Sequence, residues 1–239
     1  MFKNQKILFH IITAMVVIIW GTTFVSTKVL LQHGLGPIEI MFYRFVLAYV
    51  CILIVSHKKI WADNWKDEGL LMLAGLTGGT FYFIAENTAL EITQASNVAL
   101  LVCTTPIFTA LFMHWFCKEP LRRNMMIGSL IALIGVGMVV FSGSVILQIN
   151  PLGDLLSIVA SMMWAFYCLV LKPLGKRYST AFITRKVILY SILSLLIYFL
   201  FNPLQVKMDV LLQPVVTMNL LFLGVVASMI CFIAWNAAV

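Results

Sequence analysis

The sequence predicts an all-α integral membrane protein, a bundle of several membrane-spanning helices. Of its 239 residues, 62% are hydrophobic and 10% are charged, whereas an ordinary soluble domain is about half apolar and a quarter charged. A chain of this length cannot hide so much apolar surface from water, so its expected solvent is lipid. The apolar segments are long and continuous, without the ~10-residue alternation of barrel strands, which indicates helices.

Eight apolar segments are long enough to cross a hydrocarbon core of ~30 Å. We place these spans near residues 7–31, 37–56, 69–90, 95–117, 124–142, 152–171, 184–201 and 216–238. The first follows two lysines, as a signal peptide would, but its apolar run is too long and lacks a small-residue cleavage site. We therefore expect it to remain in the protein as a span.

The loop charges predict how the chain is oriented. Eleven basic residues fall on one side of the spans, and the opposite connections carry only Lys207. The eleven are Lys3, Lys6, Lys58, Lys59, Lys66, Lys118, Arg122, Arg123, Lys172, Lys176 and Arg177. Because the Lys/Arg-rich side faces the cytoplasm, we expect a multi-pass protein of the cell membrane with a cytoplasmic N terminus. Arg185 and Lys186 add to the same side, and the net charge of +7 therefore needs no nucleic acid as a partner.

A weak internal repeat relates the third and eighth spans. A shift of 149 residues gives seven identities in the twenty positions 71–90. The identical pairs are Leu71–Leu220, Gly75–Gly224, Phe83–Phe232, Ile84–Ile233, Ala85–Ala234, Asn87–Asn236 and Ala89–Ala238. A shift of 144 pairs Trp20 with Trp164 and Lys28 with Lys172. Five spans separate the copies, and an odd number inverts the second copy, as in many secondary transporters.

The repeat predicts two domains. The first would hold spans 1–5 in residues 1–142, and the second would hold spans 6–8 in residues 152–239. A full second copy would run 52 residues beyond Val239, enough for two more spans. We therefore expect a bundle of two five-helix inverted repeats, the second incomplete, with eight of ten spans present.

Several short motifs, in this order and spacing, are similar to those of one transporter family. They are Trp20-Gly21-Thr22-Thr23-Phe24 with Lys28, Tyr43-Arg44-Phe45, Ala89-Leu90-Glu91 with Thr93, Ala95 and Ala99, Pro106, Glu119, Gly128, Gly135-Val136-Gly137 and Gly153-Asp154. With them the chain resembles the EamA-like family of the drug/metabolite transporter superfamily over nearly its whole length. The resemblance implies a ten-span carrier of two inverted five-helix repeats that moves metabolites, amino acids or drugs, often outward, by alternating access.

Two alternatives stay open at this stage. The absent final spans leave open an inactive, truncated remnant or a partial form of such a carrier as the alternative to an intact carrier. A membrane-embedded enzyme would need a nucleophile with a base, or metal ligands, at one depth, but the four histidines are scattered and neither His-Glu-x-x-His nor Gly-x-Ser-x-Gly occurs. We therefore expect transport without a cofactor or a metal site. The expected partners are a small-molecule substrate and the lipid bilayer, and a homodimer stays open.

Three charged residues within spans are candidates for substrate binding or gating. Arg44 lies ~10 Å inside the second span and Glu86 ~6 Å from the outer end of the third, at a rise of 1.5 Å per residue. Charges at such depth are normally paired or face water. Both residues would lie in the outer leaflet, where pairing of Arg44 with Glu86 is geometrically possible, and the alternative to a role in binding or gating is that the pair merely orders the bundle. Lys28, near the outer end of the first span, either joins them or extends its ammonium group to the lipid headgroups.

Aromatic and amide side chains within spans complete the candidate substrate site. The tryptophans lie deeper than the interfacial belts where tryptophan usually anchors, so they and two tyrosine hydroxyls are candidates for a cavity wall, with packing as the alternative. The asparagines either bind substrate or join neighbouring helices. These candidates are Trp20, Trp164, Tyr82, Tyr167, Asn87 and Asn97.

Pro106 is a candidate hinge in the fourth span. Proline frees a carbonyl in the preceding turn, and the hydroxyls of Thr104 and Thr105 can satisfy that carbonyl again. Gly75 and Gly79 form a small-xxx-small pair in the third span, which is typical of close helix packing.

Overall fold

A computed structural model describes residues 2–57, 59–121, 123–142, 150–205 and 208–238, and these ranges are helical without a strand. The elements are α1 Phe2–Gln32, α2 Pro37–Val55, α3 Trp65–Ala74, π1 Gly75–Phe81, α4 Tyr82–Ile92, α5 Ala95–Val102, α6 Thr105–Cys117, α7 Arg123–Ser142, α8 Pro151–Leu174, α9 Thr180–Phe201, α10 Met208–Leu211, α11 Pro214–Leu221, π2 Phe222–Ile230 and α12 Cys231–Ala238.

Seven of the predicted spans form helices, or consecutive helices, that are long and apolar enough to cross a membrane within the described residues. They are Ile7–Gln32, Pro37–Val55, Trp65–Ile92, Ala95–Cys117, Pro151–Leu174, Thr180–Phe201 and Pro214–Ala237. The fifth predicted span corresponds to α7, whose apolar stretch Arg123–Met138 is shorter. The predicted loop 143–151 lies outside the described residues up to position 149, as do Lys58, Arg122 and Lys207 of the charge count.

Several helices begin where a side chain satisfies the free N–H groups of the first turn. Asn64 accepts from the backbone N–H of Asp67 at 2.8 Å before α3, and Ser179 accepts from Phe182 at 3.4 Å before α9. Asn150 caps α8 in the same way. Such caps stabilise a helix by about 1 kcal/mol. They start the third and seventh spans four residues before the predicted positions 69 and 184.

The third and eighth spans change from α- to π-helix in the middle. π1 lies between α3 and α4, and π2 lies between α11 and α12. A π-helical turn takes up more residues than an α-helical one, so the side chains beyond it are rotated to a different face. Such segments are frequent at functional sites.

Glycines allow these two spans to cross other helices at very short distance. A Cβ atom at Gly75 would lie 2.7 Å from the Cβ of Tyr190 on α9. A Cβ atom at Gly224 would lie 2.8 Å from the Cβ of Leu47 on α2. Contacts below 3.0 Å essentially never occur, so both crossings depend on glycine, and the small-residue packing predicted at Gly75 is confirmed.

The helix α8 occupies the centre of the bundle and packs against α3, π1, α4, α5 and α6. The ring of Tyr167 on α8 lies where a side chain at Gly78 of π1 would be, 2.3 Å from its ideal Cβ position. The periphery is apolar, with Leu200 79% and Phe201 80% exposed. That surface would be a liability in water and is ordinary in contact with lipid.

The fourth span breaks where proline was expected to bend it. The helix α5 ends at Val102 and α6 begins at Thr105, with Pro106 in its first turn. Proline has no N–H for the carbonyl of Val102, and the Thr105 hydroxyl donates to that carbonyl at 2.6 Å. The predicted compensation is therefore confirmed, while a hinge role for Pro106 stays a prediction.

Candidate functional site

Aromatic rings from α1, α4, α8 and α12 pack together at the centre of the bundle. The ring centroid of Trp20 lies 5.2 Å from that of Trp164, 5.8 Å from Phe232 and 5.3 Å from Trp235. Tyr82 joins them at 5.0 Å from Trp164. Edge-to-face and tilted pairs at such distances are favourable beyond their burial. We call these five side chains the aromatic cluster.

Glu86 lies beside the aromatic cluster with its carboxyl group buried. Its side chain is 4% exposed, and its Oε1 accepts the hydroxyl of Tyr82 at 2.6 Å. The two residues are one helical turn apart on α4, the spacing at which side chains meet. Tyr82 therefore connects this acid to the rings around it.

Arg44 is fully buried on α2, and only part of its guanidinium group is satisfied. Its Nε donates to Oγ of Ser228 on π2 at 2.9 Å, and the group lies over the ring of Phe83, 4.3 Å from the centroid. Its Nη1 has no hydrogen-bond partner. A buried, unsatisfied cationic nitrogen is costly in a protein interior and calls for an explanation.

The contact between Arg44 and Glu86 that the sequence permits does not form as an ion pair. The four ion pairs of the described residues involve neither side chain. Arg44 is directed to π2 by Ser228, and Glu86 is held on its own helix by Tyr82. Their opposite charges still attract each other. Both side chains are buried, and the direct pair that the sequence permits is not formed among the described residues.

Tyr167 on α8 and Trp20 on α1, both predicted site residues, are held by specific hydrogen bonds. The hydroxyl of Tyr167 donates to Oδ1 of Asn236 at 2.9 Å, and Nδ2 of Asn236 donates to Oγ1 of Thr184 at 2.9 Å. The indole N–H of Trp20 donates to the carbonyl oxygen of Ala227 at 3.1 Å. These bonds connect α1, α8 and α9 to the eighth span.

The two predicted asparagines, Asn87 and Asn97, are not part of the aromatic cluster. Asn87 is fully buried, and its Nδ2 donates to the carbonyl oxygen of Pro37 at the start of α2, at 3.0 Å. Asn97 is buried on α5. Asn87 and Asn236 each attach their own span to the early part of the preceding long helix, α2 and α9. This arrangement favours the interhelical alternative for Asn87, whereas the role of Asn97 stays a prediction.

Lys28 forms its hydrogen bonds with backbone carbonyl groups and, among the described residues, has no ion pair with Glu86. Extension of its ammonium group to the headgroups stays a prediction. Its Nζ donates to the carbonyl oxygens of Leu90 and of Thr93, the latter at 3.0 Å. These carbonyls belong to the end of α4, where backbone acceptors lack helical partners and a positive charge is favourable. Lys28 therefore joins α1 to the end of the third span.

A buried ion pair near the opposite ends of the spans was not predicted. Glu68 on α3 pairs with Lys186 on α9, and Tyr190 and the backbone N–H of Ala62 also donate to the same carboxylate. Lys186 is 1% exposed, although its charge was interpreted only as a determinant of orientation. Its partner was missed because the third span was predicted to begin after Glu68. The sequence signal that could have revealed this ion pair is the presence of two acidic residues, Asp67 and Glu68, directly at the start of the apolar run.

Asp67 anchors a second polar group beside the first. It is 1% exposed and accepts Nη1 of Arg177 at 2.8 Å, the hydroxyl of Tyr178 at 2.8 Å and Nδ2 of Asn64 at 2.9 Å. Burial raises the pKa of the Tyr178 phenol, which lies in the connection between α8 and α9. The phenol thus remains a neutral donor at pH 7.

The fold and the site define a multi-pass helical membrane protein with a buried polar and aromatic centre. Among the described residues, no group of three His, Cys, Asp or Glu side chains is placed to hold a metal ion. The sequence profile of the EamA-like transporter family matches residues 7–141. The chain belongs to that family, and it is a small-molecule transporter by class.

Individual relatives carry names of the same class. An uncharacterized transporter of Clostridium kluyveri is 24% identical over 96% of this chain and 76% of its own length. A probable amino-acid metabolite efflux pump of Salmonella typhimurium is 26% identical over 93% of this chain and 75% of its own length. One solved crystal structure superposes on 95% of this chain and 77% of its own with a TM-score of 0.73 at 16% identity, which shows the shared fold.

Proposed function

We propose that this chain exports amino-acid-like metabolites across the cell membrane by alternating access. Membership of a transporter family supports transport. The name of the Salmonella relative supports both the direction and the substrate class. The distribution of basic loop residues supports a cytoplasmic N terminus.

The observation that carries the substrate assignment is the unsatisfied guanidinium nitrogen of Arg44. A substrate carboxylate is its natural partner, because guanidinium and carboxylate groups form short, charge-assisted hydrogen bonds. The buried carboxyl group of Glu86 offers the complementary partner for a substrate ammonium group. The aromatic cluster beside Glu86 suits an apolar side chain. A zwitterion with an apolar side chain fits all three features.

An inverted repeat supplies the mechanism of this proposal. The shift of 149 that relates the sequences carries π1 onto positions 224–230, all within π2. It also carries Gly75, which crosses α9, onto Gly224, which crosses α2. Each half thus contributes one glycine crossing to a long helix of the other half. Two similar halves of opposite orientation can exchange conformations and expose a central site to either side in turn.

Exchange in vesicles tests the proposal. Purified protein is reconstituted into vesicles that hold unlabelled leucine, and the entry of labelled leucine is measured with and without competitors. Two of the competitors are singly charged analogues of leucine, one that keeps only the amine and one that keeps only the carboxylic acid. We expect competition by zwitterions and not by either singly charged analogue. Arg44→Gln and Glu86→Gln should each reduce exchange ~10-fold or more, since a charged hydrogen bond contributes ~1.5–3 kcal/mol. Lys66→Gln, an exposed change away from the site, is the control.

Two results would contradict different parts of the proposal. Equal competition by the amine and the acid would exclude recognition of both charges and leave a carrier of another substrate class. A folded protein that exchanges none of a panel of zwitterionic, anionic and cationic metabolites would contradict the carrier function itself.

A further inference from the structure

We propose that a cleft on the Lys/Arg-rich side of this protein binds the phosphate headgroup of an anionic phospholipid. The cleft measures about 360 Å³ and lies between the end of α2, the segment that follows it, and the connection from α8 to α9. Its lining residues are Val55, Ser56, His57, Lys59, Arg177, Tyr178, Ser179 and Phe182. Three of these are basic, three carry hydroxyl groups, and none is acidic. The site is separate from the central one and does not depend on what is transported.

Arg177 presents most of its guanidinium group to the cleft. Within the part of the chain that the structure describes, Arg177 donates through Nη1, to both carboxylate oxygens of Asp67 at 2.8 and 3.1 Å. The Arg177 side chain is 56% exposed, whereas that of Asp67 is 1% exposed. Asp67 also accepts from Tyr178 and Asn64. The aspartate therefore holds the arginine in place, and the remaining guanidinium N–H groups can donate to a phosphate.

Two backbone acceptors of the segment after α2 are already engaged by Arg185. Arg185 is 3% exposed and donates to the backbone carbonyl oxygens of Ser56 and Lys59. Lys59 forms an ion pair with Asp63 at 2.7 Å, in which the side chains are 46% and 65% exposed. Exposed pairs of this kind contribute ~0–1 kcal/mol, so a phosphate can replace Asp63 as the partner of Lys59.

The start of α9 adds a further positive contribution. Ser179 caps this 22-residue helix and lines the cleft. The N-terminal end of a helix carries partial positive charge and favours anions. The helix end supplements the basic side chains, which are the main determinants of the site.

The surroundings of the cleft favour a lipid over a soluble phosphate. Val55 and Phe182 form its apolar part, and Ile54 and Val50 on α2 are 78% and 58% exposed. These side chains continue from the cleft along the lipid-facing surface of α2, where an acyl chain would lie. Trp65, 87% exposed at the start of α3, is typical of the interface where headgroups lie. Basic pockets at this depth bind anionic headgroups in membrane proteins.

Lipid retention and thermal unfolding in detergent test the assignment. The probes are phosphatidylglycerol, phosphatidylcholine and glycerol 3-phosphate, which has the phosphate without acyl chains. We expect phosphatidylglycerol alone to remain bound in native mass spectra and to raise the unfolding temperature. Lys59→Gln and Arg177→Gln should each weaken its apparent affinity about fivefold. Lys66→Gln and Lys176→Gln, exposed charges outside the cleft, should leave it unchanged.

Three outcomes would overturn the proposal. Equal protection by glycerol 3-phosphate would indicate a site for free anions. Equal loss in the Lys59 and Lys66 variants would indicate general charge attraction without a site. Unchanged affinity in both cleft variants would exclude the cleft. Because Arg177→Gln also removes a partner of Asp67, Lys59→Gln decides the result if the arginine variant does not fold.

Discussion

Buried charges in this protein occur in two different states. Glu68 and Lys186 form an ion pair, and the carboxylate has further donors. Arg44 and Glu86 are equally buried but have no ionic partner, and one nitrogen of Arg44 has no partner at all. A satisfied buried pair is a structural element, whereas an unsatisfied buried cation is expected where a ligand completes the site. This contrast separates the proposed binding site from the scaffold.

The Glu68–Lys186 pair leads to a prediction about stability. Glu68→Gln or Lys186→Met leaves one buried charge unpaired and should lower the free energy of unfolding by about 3–5 kcal/mol. The double variant should regain most of that loss, because neither charge remains. The measurement is unfolding in one detergent for all four proteins.

The matched control for this pair is Asp63→Asn, which removes the partner of Lys59 in an exposed pair and should cost at most about 1 kcal/mol. Strictly additive losses in the double variant would mean that Glu68 and Lys186 do not interact in the folded protein.

Part of the candidate site follows from the sequence alone. Arg44 and Glu86 are recognisable because a charge within an apolar span is expensive, and Trp20 and Trp164 because they lie away from the interface. Ser228 carries no such signal. Its role depends on where π2 crosses α2, and hydropathy contains no information on which helices cross.

At the level of elements, the crossings set by Gly75 and Gly224 hold the bundle together. Helix positions are predictable from hydropathy, but helix ends depend on single side chains such as Asn64 and Ser179. The π-helical segments were not predicted, because no residue pattern distinguishes them from an α-helix. Gly75, at the start of π1, was visible both as a small-xxx-small partner of Gly79 and through the repeat, whereas Gly224, near the start of π2, was visible only as a partner in the repeat.

The glycine crossings lead to a prediction about packing. Gly75→Ala places a methyl group 2.7 Å from the Cβ of Tyr190, and overpacking of this kind costs about 1–3 kcal/mol. Gly224→Ala should destabilise the protein by a similar amount, because its methyl group would lie 2.8 Å from the Cβ of Leu47 on α2. Gly21→Ala on α1 is the control, since nothing lies within 4 Å of its Cβ position and alanine favours a helix by up to ~1 kcal/mol. Equal unfolding temperatures for Gly75→Ala and Gly21→Ala would contradict the close crossing.

For the whole molecule, the composition is sufficient to predict a helical membrane protein, but it does not predict how the helices pack against one another. Apolar length alone locates the spans, as the seven recovered helices illustrate. The central position of α8 and the crossings of the third span with α9 and of the eighth with α2 depend on side-chain shape over long sequence distances. The two-domain division stays a prediction, and a homodimer stays open.

The orientation of the whole molecule can be tested directly. If the basic side is cytoplasmic, single cysteines near the N terminus and next to Lys59 should resist a membrane-impermeant thiol reagent in intact cells and react after the cells are opened. A cysteine at position 144, which lies outside the described residues, should react in intact cells. The five native cysteines are first replaced so that only the introduced thiol is detected. Protection of position 144 with labelling beside Lys59 would reverse the orientation.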